Sequence, residues 1–220
     1  MRGRLITISG PDGVGKSTQA RLLVERLLRE GRPARAFWFR PGYSHELDAA
    51  RAFVRRFSRR ALPTADQGEA RARAFRKPGV SGAWLTMALA DTALQLGVKL
   101  RSWMARGETV VCDRYLLDAS LDLELRFPAH RERLRTAWRT LDTLCPRPDG
   151  AYVLQASPAE VEERLTSKHE PFPDDADTRV ARREAYDAMV RAGQATPIDA
   201  AGPASQVHER LWLSVRELFV

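Results

Sequence analysis

The chain has 220 residues, a formal net charge of +8 and 44% hydrophobic residues, ordinary figures for one globular domain. No apolar run approaches the roughly 18 residues of a membrane span, and two cysteines, Cys112 and Cys145, are too few for a disulfide framework. The positive balance admits nucleic-acid binding. It is carried by arginine, however, since of 36 basic residues only Lys16, Lys77, Lys99 and Lys168 are lysine. Arginine and alanine abound along the whole chain, which reads as compositional bias, and substrates with several phosphates also call for arginine.

Met1-Arg2-Gly3-Arg4 leads straight into an apolar, β-branched run from Leu5 to Ser9, the first expected strand. That start leaves no room for a signal peptide, and a reduced cytoplasm is the expectation. Gly10 to Thr18 then read Gly-Pro-Asp-Gly-Val-Gly-Lys-Ser-Thr. They fit the phosphate-binding loop G-x-x-x-x-G-K-[ST], with Gly10, Gly15, Lys16 and Ser17 at the fixed positions. Leu22, Leu23, Leu27 and Leu28 follow at helical spacing, so the loop joins a strand to a helix over 16–30, as the motif requires. Glycines let the backbone wrap closely around a phosphate with its N–H groups inward. The helix N-terminus offers free N–H groups and a positive dipole end to the same anion. Gly10, Asp12, Gly13, Gly15, Lys16, Ser17 and Thr18 would therefore line the phosphates of ATP. Lys16 would reach the β- and γ-phosphates, and Ser17 would bind Mg2+.

Further strands are expected at 35–40, 109–113, 151–155 and 197–199. Helices are expected at about 46–60, 82–106, 130–143, 158–168, 177–192 and 204–218. This alternation predicts an α/β fold, a five-stranded parallel sheet with helices on both faces, in a single domain over 1–220. Residues 62–82 are Arg-rich and broken by Pro63, Gly68, Pro78, Gly79 and Gly82, and 169–177 carry two prolines and four acids. Both read as irregular loops. Cys112 lies in an apolar strand and reads as core filler.

Val110-Val111-Cys112-Asp113-Arg114-Tyr115 sets a carboxylate at the carboxyl end of a buried strand. Ligands gather there in an open α/β sheet, and a phosphate-loop protein needs an acid there to hold Mg2+. Arg114 could hold a phosphate bidentately. Arg40, followed by Pro41 and Gly42, ends the second strand and faces the same crevice.

With these residues the chain resembles the thymidylate kinase family of nucleoside monophosphate kinases. The family's loop, Gly-x-Asp-Gly-x-Gly-Lys-[Ser/Thr]-Thr, is matched including Asp12. Its Asp-Arg-Tyr segment is matched in full by Asp113, Arg114 and Tyr115, and its Arg-Glu-Pro-Gly segment in part by Arg40-Pro41-Gly42. Pro148-Asp149, Tyr152-Val153-Leu154, Ser157-Pro158, Ile198-Asp199-Ala200 and Val207-His208 are similar to its later strands and helices. The resemblance implies a three-layer P-loop kinase fold with a short lid at about 165–180, a homodimer, and a nucleotide acceptor. It implies that Asp12 faces the acceptor and that Arg40 and Arg114 bind the acceptor phosphate. Some members carry an arginine in the loop just after that Asp; this chain has Gly13. Others supply the cation from the lid, which here implies Arg164 first, with Lys168 and Arg179 as the other choices.

The acceptor side departs from the family. Where members have Asp-Arg on the long helix, this chain has Asp91-Thr92, and the Tyr-Gln pair expected after Asp-Arg-Tyr is absent. Phe75, Arg76, Trp84 and Asp91 are candidates for a rebuilt pocket. The expected function is ATP-dependent phosphoryl transfer to a nucleoside monophosphate, with thymidylate (dTMP) leading. A kinase acting on a nucleic-acid end or modified nucleotide, and a nucleotide-binding switch without transfer, stand as alternatives.

Overall fold

A computed structural model of the chain describes residues 2–44, 78–166 and 176–220. Expectations at 46–60, at Phe75, Arg76 and Lys168, and over most of the lid lie outside the described residues.

Five strands form one sheet: β1 Leu5–Ser9, β2 Ala34–Trp38, β3 Thr109–Asp113, β4 Gly150–Gln155 and β5 Thr196–Asp199. All pairings are parallel, in the order β2-β3-β1-β4-β5. Every residue of β1 is buried, because helices cover both faces; hence a continuous apolar run rather than alternation. On one face Ile6, Ile8, Val111 and Leu154 pack on Leu23 and Leu27 of α1 (Lys16–Arg29) and on Leu211 and Val215 of α8 (Ala204–Val215). On the other, Leu5, Val110 and Cys112 meet Leu96, Leu100 and Met104. The three-layer α/β arrangement of a P-loop kinase is therefore present.

The long helix expected at 82–106 begins at Pro78. α2 (Pro78–Thr92) continues through a π-helical stretch, Ala93–Lys99, into α3 (Leu100–Ala105). α5 (Arg131–Leu144), α6 (Pro158–Thr166) and α7 (Ala176–Arg191) lie close to their expected limits. α4 (Leu116–Arg126) was not expected as a helix. Its buried face carries Asp118 and Asp122 beside Ala119 and Leu123, so the acids hide the apolar stripe on which periodicity depends. Asp118 also caps it, accepting from the Tyr115 N–H at 2.9 Å. Cys112 is fully buried, and burial pushes its thiol pKa well up, in keeping with core filler.

Ile8 lies beside Asp113 and Ser9 beside Val153 in the register. The loop after β1 thus leaves the sheet between the ends of β3 and β4, where strand order reverses and a crevice opens. A cavity of about 1430 Å3 opens instead at the amino ends of β4 and β5, near Gly150 and Thr196, and neither Lys16 nor Arg40 lines it. Among the described residues no helix is long and apolar enough to cross a membrane.

Candidate active site

The loop from Gly10 to Thr18 curls at the carboxyl end of β1. Gly10, Gly13 and Gly15 all have positive φ, 141°, 81° and 102°. At Gly13 a Cβ would stand 2.9 Å from Leu165 Cγ and 3.2 Å from the Val161 carbonyl oxygen. α6 therefore closes the space that an arginine at this position would need. Gly15 caps α1, and Ser17 and Thr18 stand in its first turn. Lys16 is buried and donates to the carbonyls of Gly10 at 2.8 Å and Pro11 at 2.7 Å. Burial and then Arg114 press its pKa below the usual value, against the pull of Asp12 and Asp113.

Asp113 comes from β3 to meet this loop. Ser17 Oγ donates to Asp113 Oδ2. Asp113 Oδ1 is buried and accepts no hydrogen bond among the described residues, which is costly for a carboxylate oxygen. A hydroxyl and an oxygen in want of a partner make a hard-oxygen donor set of the kind Mg2+ selects.

Arg114 Nη2 donates to Asp12 Oδ1. Burial opposes ionisation of Asp12, but Lys16 and Arg114 outweigh it and hold its pKa at about 2. Arg114 has φ 77°, the only positive φ on a non-glycine residue among those described. A left-handed backbone costs a residue with a Cβ about 1–2 kcal/mol, and it turns the guanidinium back toward the loop while the Arg114 N–H donates to the Ile8 carbonyl at 3.1 Å.

Across the crevice the side chains come from several elements. Arg40, just past β2, has Nε 3.1 Å from Asp122 Oδ2, and Arg182 of α7 donates through Nη2 to Asp122 Oδ1. Burial raises the Asp122 pKa, and Arg40 and Arg182 together bring it below the usual carboxylate value. One helical turn earlier, Asp118 accepts from Tyr186 OH at 2.8 Å and from Ser9 Oγ at 2.7 Å. Burial and Asp118 raise the Tyr186 pKa well above its ordinary value, so this hydroxyl stays a donor. Asp118 with Tyr186 and Asp122 with Arg182 form two rungs between helices that run in opposite directions.

Asp91 and Trp84 support the loop after β2. Asp91, 2% exposed, accepts from the Gly42 N–H at 2.9 Å and from Ser44 Oγ. Trp84 packs so closely that a Cβ at Gly42 would stand 2.8 Å from its ring. Its ring lies 5.3 Å from that of Phe127. Arg164 stands outside the phosphate loop, donating to the carbonyls of Val14, Ala200 and Gly202 at 3.4, 3.1 and 3.3 Å. Arg179 is exposed and pairs with Glu162 at 3.2 Å.

Lys16, Ser17, Asp12, Asp113 and Arg114 thus converge, and Arg40 faces them. Sequence reasoning missed Asp118, Asp122, Arg182 and Tyr186. The signal was there as two i,i+4 pairs, Asp118/Asp122 and Arg182/Tyr186, each on one helix face.

The chain matches no protein-family profile. It is 28% identical to a thymidylate kinase of Bifidobacterium longum, over 98% of this chain and 96% of the relative. It is also 28% identical to a thymidylate kinase of an Exiguobacterium species, over 88% of this chain and 80% of the relative. The resemblance to the thymidylate kinase family holds, at a distance. It extends over nearly the whole chain.

Proposed function

We propose that this protein transfers a phosphoryl group from ATP to a nucleoside monophosphate, with dTMP the leading acceptor. The observation that carries this is the convergence of Lys16 and Ser17 with Asp113, and of Asp12 with Arg114, at the ends of β1 and β3. The nearly full-length likeness to two thymidylate kinases supports the same reading.

The loop N–H groups and Lys16 would hold the ATP phosphates. Ser17 and Asp113 would hold Mg2+, whose charge when bound offsets that of the phosphate oxygens. Arg114 lies against the loop and Arg40 across from it, so an acceptor phosphate between them would be aligned with the donor. Catalysis of this kind is positional and electrostatic, without a covalent enzyme intermediate. Asp12, ionised throughout the physiological range, keeps Arg114 turned inward and serves as an acceptor for an incoming sugar hydroxyl.

Leu94 and Val98 on the π stretch and Leu144 beside Gly97 are 50%, 57% and 42% exposed. An apolar patch of this kind favours a second copy of the chain, in line with a homodimer. Two free cysteines favour a reducing cytoplasm.

The test is a panel of nucleoside monophosphates with ATP and Mg2+, read as ADP and nucleoside diphosphate. Diphosphate formation is expected, fastest from dTMP. ATP binding without transfer to any member of the panel would overturn the kinase reading.

A further inference from the structure

We propose that Arg182 is a phosphate-binding residue of this crevice, and that Asp122 positions it beside Arg40 by holding both guanidiniums. This rests on the crevice being the transfer site proposed above. Three observations lead to it. Gly13 stands where Leu165 and Val161 leave no room for a loop arginine. Arg164 is fastened to backbone carbonyls, that of Val14 on the outer side of the loop and those of Ala200 and Gly202 after β5. Arg182 alone of the late-helix arginines named above reaches the crevice from within, 4% exposed and bonded to Asp122.

The geometry suits an anion. Asp122 lends one oxygen to Arg40 and the other to Arg182, so two guanidiniums from opposite sides of the crevice are drawn to one point. Asp122 offsets only one of these two charges, and the positive charge left on the trio suits a group with several acceptor oxygens, such as phosphate. Arg182 is also close enough to Asp12 for its charge to help lower that carboxyl's pKa, which sets it between the loop and the acceptor wall. Burial is no objection, since Lys16 is 6% exposed. α7 follows the lid segment in the chain, so the Asp122–Arg182 contact ties the helix after the lid to the wall that receives the acceptor.

The test compares wild type with Arg182→Ala, Arg182→Lys and Asp122→Asn in steady-state kinetics with dTMP and ATP. Arg182→Ala should lower kcat/KM for the acceptor about 100-fold, while the KM for ATP stays within about twofold. Arg182→Lys should recover part of the loss, and added guanidinium should rescue Arg182→Ala. Asp122→Asn, nearly isosteric, should cost about tenfold on the acceptor side only. An Arg182→Ala enzyme within about twofold of wild type would overturn the proposal while leaving the kinase reading intact. So would a loss shared equally by ATP and acceptor, without guanidinium rescue, since that is a folding defect. If wild type phosphorylates no monophosphate, calorimetry with dTMP decides. Binding that Arg182→Ala abolishes upholds Arg182 as a phosphate ligand although the kinase reading fails; absence of binding overturns both.

Discussion

Between Gly10 and Thr18 the phosphate loop is written in consecutive residues, whereas the facing wall draws Arg40, Asp91, Asp122 and Arg182 from four parts of the chain. The loop is shaped by its backbone, with one buried lysine bonded back onto it. The wall works through side chains fixed by one another, Arg40 and Arg182 by Asp122, and the Gly42 turn by Asp91. A local device of the first kind stays intact when its surroundings change. A dispersed device depends on how helices pack, so its function and its stability are altered together.

The junction between the two halves should respond most strongly. Arg114→Ala takes from the buried Asp12 carboxylate one of its two close cationic partners, and should destabilise the fold by about 3–5 kcal/mol in urea unfolding. A loss below about 1 kcal/mol would mean that Lys16 alone suffices for Asp12 and that the halves are not joined there. Lys16→Ala should reduce kcat by about 10²–10³ with the fold retained by circular dichroism. Comparable losses of rate and stability would break the contrast drawn for the loop.

Acid titration separates the halves more finely. The Asp12 pKa is held at about 2, below its ordinary 3.8, so the folded state binds fewer protons than the unfolded state between those values. Its contribution, about 2 kcal/mol, is complete above about pH 4 and lost as pH falls toward 2. Asp12→Asn should flatten the wild-type decline over that window in chemical unfolding; an unchanged slope would assign the decline to other carboxylates. The smallest effect is expected at Asp91. Asp91→Ala removes the acceptor of the Gly42 N–H, and should cost about 1–2 kcal/mol and raise the acceptor KM a few-fold without changing that for ATP. Parallel changes in both KM values would show that the turn after β2 also serves the loop.

The same contrast explains what could be read in the sequence. The strand, the glycine spacing and the helix start around Lys16 are all local signals, and they located the loop and the sheet. Asp113 and Arg114 were legible because they end an apolar strand. α4 was not, since Asp118 and Asp122 occupy positions on its buried face where periodicity looks for apolar residues. Their partners Arg182 and Tyr186 lie on a helix far along the chain, and only antiparallel packing brings the two pairs into register. The resemblance suggests Arg164 as a cation for transfer; its contacts with the Ala200 and Gly202 carbonyls depend on where the chain runs after β5, which spacing does not encode.

The φ of 77° at Arg114 bears on how this chain could drift. Glycine adopts such a backbone freely, but here it would relieve about 1–2 kcal/mol of strain and forfeit the larger contribution of the Arg114–Asp12 pair. The strained backbone is therefore tolerated because the guanidinium it aims at the loop stabilises more than the strain costs. Stabilising variants of this protein should therefore be sought away from the end of β3.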